Sequence, residues 1–223
     1  MKSFAVVATV STPIISHGFL TLDAVLAAMI YRKTGDLHAA HNDIPLDRTG
    51  VVWHGSQAFF DRYTTGFTGL VRSMKPDDME SGKWEIVSKR KTKYPLYIDQ
   101  SRDDDPHQWR SRMSLYQTIN TGHVYWFGRG DIDQVSDLLS NMQGIGKKAS
   151  HGFGQVDSLN IEPTDADLSL RLPDGSPARP IPVEMWQEAG GDKSAMSGFY
   201  SPEPPYFESP KVLCVVPEIR QLA

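Results

Sequence analysis

A chain of 223 residues, 39% apolar and rich in aromatics, holds enough material for one packed domain with an elaborated insertion and is short for two. Its one cysteine, Cys214, excludes an intrachain disulfide framework and a cysteine-rich zinc site, and fits a reducing cytoplasm. A net charge of −4 gives no support by itself to nucleic-acid binding, since a free-standing binder is usually basic, so the distribution of charge matters more than its sum.

Basic residues gather at 83–93, at 102–112 and at Lys147-Lys148, and acidic ones at 77–80, 103–105 and 131–137. No apolar run approaches the roughly 20 residues that span a bilayer, so no membrane partner is expected. Residues 4–10 follow Lys2, but they are too few for a signal peptide and read as a buried first strand. Residues 11–18 contain Pro13 and predict a loop. Leu22, Val25, Leu26, Met29 and Ile30 then recur at helical spacing. Thr21 is placed to cap this helix, Asp23 sits in its first turn, Arg32 and Lys33 in its last, and Gly35 terminates it.

Residues 36–50 predict a connecting loop, and 51–60, 68–74 and 84–93 predict strands. Residues 99–112 are strongly polar and read as exposed. Residues 113–127 are β-rich and break at Asn120-Thr121-Gly122, which predicts a hairpin. Asp131 and Gln134 stand in capping-box spacing before a helix whose inner face is Ile132, Val135, Leu138, Leu139 and Met142, with Gly144 at its end. Strands are expected at 155–162 and 212–216. The order predicts an α+β fold: a ferredoxin-like (RRM-like) βαββαβ core, a middle segment inserted at about 36–112, and a glycine-rich loop before the last core strand. Residues 1–223 are then a single domain.

In that loop, Gly144, Gly146, Gly152 and Gly154 flank Lys147, Lys148, Ser150 and His151. Glycines admit positive φ and close backbone approach, so successive N–H groups can cradle phosphate oxygens while the lysines supply charge. The alternative use of such glycines is a tight helix-to-strand connection. The phosphate loop of nucleotide hydrolases is excluded, because its spacing fails and the chain continues into a strand.

A helix, the string GIGKKASHGFGQV and a strand closely resemble the glycine-rich loop of RAMP proteins, the RNA binders of CRISPR effector complexes. The opening strand, His17-Gly18-Phe19 and the helix start Leu22-Asp23-Ala24-Val25-Leu26 resemble the Cas5-like subunit of type IV CRISPR complexes. The resemblance implies a non-catalytic subunit that binds the 5′ handle of a crRNA through the eight loop residues just named and His17. It implies as partners Cas7-like backbone subunits, a large or large-like subunit, and target DNA near the protospacer-adjacent motif. Guide pairing would read the sequence, and the protein the backbone, the shape and the handle bases. Residues 36–112 carry no match of their own.

Other clusters bear on the same chemistry. Lys89, Arg90 and Lys91 with Tyr94 and Tyr97 mix cations with aromatics, as do Arg110 and Arg112 with Trp109; each suits single-stranded nucleic acid or a solvated face. His17, His123 and His151 with a lysine are the residue types of a metal-free guide-processing endoribonuclease, which stays open as an alternative, as does a stand-alone RNA-binding module. His38, His41 and Asp43 lack further ligands at metal spacing, and Asp103-Asp104-Asp105 lack a calcium-loop pattern, so neither a metal nor a cofactor is expected. Tyr125, Trp126 and Phe127 read as core.

Overall fold

The computed structural model describes residues 2–16, 18–72, 85–86, 98–99, 112–192, 194–206 and 208–218. It is a mixed α+β structure of antiparallel sheets and few helices. Strand β1 (Lys2–Val10) alternates strictly, with Phe4, Val6, Ala8 and Val10 buried and the intervening side chains half-buried or exposed. It lies between β10 (His123–Gly130) and β11 (Val156–Pro163), pairing Val6 with Trp126 on one side and with Ile161 on the other. The outer strand beyond β10 is the two-residue β5 (Phe59–Phe60), so the order is β11-β1-β10-β5, antiparallel throughout.

Helix α1 (Leu22–Thr34) lies between β1 and β5 in the chain, and α3 (Ile132–Leu139) between β10 and β11. The two helices pack on one another, and Leu22, Leu26, Val135 and Leu139 join Phe4, Val6 and Trp126 in the main core. Gly35 closes α1 in the left-handed conformation at φ 70°, its N–H donating to the Tyr31 carbonyl. Thr21 does not cap α1; its hydroxyl lies 3.1 Å from the Tyr206 hydroxyl instead. Asp131 does cap α3, accepting from the N–H groups of Asp133 and Gln134. The Gln134 amide returns to the Asp131 carboxylate, because the Asp131 N–H is already given to the Pro45 carbonyl.

Several expectations are corrected. Residues 36–50 are not merely a loop: Asp36 caps a short helix, α2 (Leu37–Asn42), by accepting from the His38 and Ala39 N–H groups. The expected strand at 51–60 is two short pieces, β4 (Val52–Trp53), paired with β3 (Arg48–Thr49), and β5. The turn at Thr121-Gly122 does not make a hairpin: β9 (Arg112–Asn120) joins β2 (Ile14–Ile15) and β6 (Thr64–Arg72), whereas β10 joins β1. Residues 11–13, among them Pro13 with no N–H to offer a ladder, bend the chain between β1 and β2, and the two strands serve different sheets. Trp126 is wholly buried, but Tyr125 and Phe127 point to the other face of the sheet and stay half-buried.

A three-stranded sheet, β12-β14-β13, completes the C-terminal part: β12 (Ile181–Pro182), β14 (Val212–Val215) and β13 (Ser197–Tyr200). Helix α4 (Val183–Glu188) sets Trp186 with Ile181 and Val215 in a smaller core. The chain forms two compact units, residues 1–66 with 118–223, and 67–117. The second holds the paired strands β7 (Glu85–Ile86) and β8 (Ile98–Asp99). Among the described residues, no helix is long and apolar enough to cross a membrane.

Candidate nucleic-acid interface

The glycine-rich loop starts where the apolar face of α3 runs out. Met142 and Ile145 are buried and hold its first half against the main core. The Ile145 N–H donates to the Gly154 carbonyl at 2.8 Å, closing the loop on itself. The Gly154 N–H donates to the Pro13 carbonyl at 2.9 Å, and the Lys147 N–H to the Ile15 carbonyl at 2.7 Å. The Gln155 N–H donates to the Thr12 hydroxyl at 2.8 Å. The loop is thereby stitched to the bend between β1 and β2.

Two glycines are required sterically. A Cβ on Gly146 would sit 2.5 Å from the Ile15 carbonyl oxygen, and one on Gly154 only 2.1 Å from that of Ile145; both have positive φ. Lys148, at φ 62°, is the one non-glycine with positive φ among the described residues. It leads into a 3-10 turn, Ala149–His151, in which the His151 N–H donates to the Lys148 carbonyl at 2.8 Å.

These bonds change what the loop offers. The N–H groups of Ile145, Lys147, His151, Gly152, Phe153, Gly154, Gln155 and Val156 all donate within the protein. The amides that flank the tip are therefore engaged within the protein, and at the 148–151 tip the exposed side chains carry the outward chemistry. Lys147, Lys148, Ser150 and His151 are exposed, and the Ser150 hydroxyl lies 3.2 Å from the His151 ring. A rigid backbone carrying two cations and two hydrogen-bonding groups suits a phosphate-rich ligand.

The remaining expected contacts divide by place. His17, Lys89, Arg90, Lys91 and Arg110 lie outside the described residues, as do Tyr94, Tyr97, Asp103, Asp104, Asp105 and Trp109; Arg112 opens β9. His123 pairs with Asp61 at 3.2 Å and lies beside Tyr125, and among the described residues no contact brings it to His151. His38 and His41 belong to α2, and among the described residues no three metal-ligating side chains gather.

Two buried polar clusters were not visible in the sequence. Arg179 and Asp23 are wholly buried and paired at 3.0 Å, and Tyr206 donates its hydroxyl to the same carboxylate. Burial alone would lower the Arg179 pKa, but Asp23 and Tyr206 together outweigh it and the net direction is upward. In the second cluster, the Ser169 hydroxyl lies 3.0 Å from His54 Nδ1 and donates to Asp167 at 2.5 Å. Asp167 Oδ2 faces the same ring nitrogen at 3.5 Å, while Nε2 meets Thr49 and Arg129. A catalytic triad needs nucleophile and carboxylate on opposite ring nitrogens, and Ser169 has no exposed surface, so this is an internal brace. Burial pushes the Asp167 carboxyl up, but hydrogen bonds from His54 and Ser169 outweigh it and hold the group well below the usual carboxylate range.

Residues 3–216 match the family model of CRISPR type IV associated protein Csf3. The chain belongs to this family. No curated protein matches it. Among solved structures, the Csf3-family chain is similar to a chain in a cryo-EM structure of the type III-B Cmr-beta bound to cognate target RNA, at 11% identity and a TM-score of 0.35. The alignment covers 73% of the present chain, which spans 61% of the length of the chain it matches.

Proposed function

We propose that this chain is a non-catalytic, Cas5-like RAMP subunit that binds the 5′ handle of a crRNA in a type IV ribonucleoprotein and aids recognition of target DNA. Membership of the Csf3 family supports the CRISPR setting. One observation carries the RNA-binding reading: Lys147, Lys148, Ser150 and His151 stand exposed on a loop whose own amides lock it to the 12–15 segment. The reading of the core as ferredoxin-like rests on the order β11-β1-β10-β5, all antiparallel, with α1 and α3 in the two crossovers. Cas7-like backbone subunits, a large or large-like subunit and DNA beside the protospacer-adjacent motif are the partners this role requires.

The test is co-purification with the proteins of neighbouring genes, followed by end-mapping of bound RNA. A uniform repeat-derived 5′ handle protected in a multi-subunit particle is the expected result. Lys147→Ala with Lys148→Ala should flatten the salt dependence of handle binding by about 1.4 in log–log slope, for two phosphate contacts to a single strand. An unchanged slope sinks the loop assignment. Metal-free cleavage of repeat RNA by the purified chain would replace the capping role with guide processing.

A further inference from the structure

Beside the glycine-rich loop, helix α1 and the loop's first residues enclose a cleft of about 230 Å³. Its walls are apolar: Ala28 and Met29 from α1, Met142 and Ile145 from the loop side, and Phe19. Phe19 is held by an edge-on contact with Tyr200, their ring centroids 5.1 Å apart. The two charged residues that line the cleft, Arg32 and Lys147, are both cations and both exposed. Neither forms an ion pair among the described residues; the nearest polar contact of Arg32 is the Met29 sulfur, 3.7 Å away.

We propose that this cleft receives one unstacked nucleobase of the bound RNA, with the adjoining phosphate held between Arg32 and Lys147. The proposal rests on the loop's being an RNA contact and names what that contact takes. Apolar walls with cations as the only charged lining repel a cationic ligand and favour one that joins an apolar body to an anion. A nucleobase meets both conditions at once, because it presents an apolar ring face and always brings a phosphate with it. Ala24 and Ala28, one helical turn apart on α1, leave the space that a larger residue would close.

The probe is an oligouridine carrying 4-thiouridine, bound by the purified full chain and compared with an abasic ribose-phosphate oligomer of the same length. Irradiation should cross-link the wild type through peptides bearing Met29 or Met142. Ala28→Trp fills the cleft from an exposed wall position, so the fold should survive, as circular dichroism will check. It should abolish that cross-link and weaken oligouridine binding about tenfold while leaving the abasic oligomer unaffected. Arg32→Gln should weaken both oligomers and keep the cross-link, which tests the cleft even where Ala28→Trp does not fold. Wild-type affinity and cross-linking in Ala28→Trp would overturn the nucleobase site while leaving the loop's lysines in place. Loss of a partner protein from the assembled complex, with RNA binding unchanged, would overturn it in favour of a protein side chain. No oligouridine binding by the wild type would overturn both this proposal and the RNA-binding reading beneath it.

Discussion

Arg179 donates to Asp23 across 156 positions of sequence, Nη1 to Oδ1 at 3.0 Å, with neither side chain reaching solvent. The guanidinium also donates to the carbonyls of Trp53, Gly55 and Pro202, so one cation draws α1, β4 and the C-terminal segment to a single point. Its Nε is the one buried side-chain polar atom without a partner among the described residues.

Removing one member of this pair should cost more than removing both. Asp23→Ala leaves the Arg179 charge buried and uncompensated and should destabilise by about 3–5 kcal/mol. Asp23→Leu with Arg179→Met should recover part of that loss, since no charge is then stranded although the carbonyls of Trp53, Gly55 and Pro202 lose this donor. Chemical denaturation of the single and double variants checks the order, and a double-variant loss equal to the sum of the two single losses would show that the pair is not coupled.

Gly152 and Gly154 provide a matched steric comparison. Both have positive φ, but a Cβ at Gly152 meets nothing within 4 Å, whereas one at Gly154 collides with the Ile145 carbonyl. Gly152→Ala should therefore cost only the left-handed penalty of about 1–2 kcal/mol, and Gly154→Ala distinctly more. Thermal melting of the two variants separates the contributions.

Asp167 should make the fold acid-sensitive. Its pKa lies below the unfolded value of 3.8, so it contributes stability above that pH, which is lost as pH falls towards the folded pKa. Asp61, Asp131 and Asp192 are also lowered and add to the slope. Asp167→Asn should be less stable than wild type at pH 6, and the gap should narrow below about pH 4. A constant gap across that range would remove Asp167 from the account.

Cys214 should be silent in the folded chain. Burial pushes its thiol up to about 11, and its Sγ–H points to the Tyr200 carbonyl at 3.7 Å. Alkylation by iodoacetamide at pH 8 should proceed only as the protein unfolds. Rapid labelling of the native protein would contradict the burial.

What could be read from the sequence was what repeats along it. β1 follows from its Val-rich apolar run, α1 and α3 from apolar spacing, and the Asp131 cap from its distance to Gln134. What could not be read depends on pairings far apart. β5 is only Phe59–Phe60 and becomes a strand because β10 is there to receive it. Asp23 looked like a residue complementing the helix dipole, since nothing near it announces Arg179. The division of 113–127 between two sheets was hidden because Asn120-Thr121-Gly122 is hairpin chemistry, while the strands that receive the two halves, β2 and β1, lie in another segment. The loop glycines were legible as glycines needing positive φ, but the commitment of the Gly154 and Lys147 N–H groups to the carbonyls of Pro13 and Ile15 was not.

That commitment determines where flexibility resides during capture. Because the loop backbone is ordered before any ligand arrives, association freezes only lysine, serine and histidine rotamers on the protein side. Induced fit must then come from the ligand, whose strand has to curve and unstack to match a surface that does not yield. Such a loop acts as a mould, and amide exchange at Ile145, Lys147 and residues 151–155 should be slow and nearly the same with the site empty or filled.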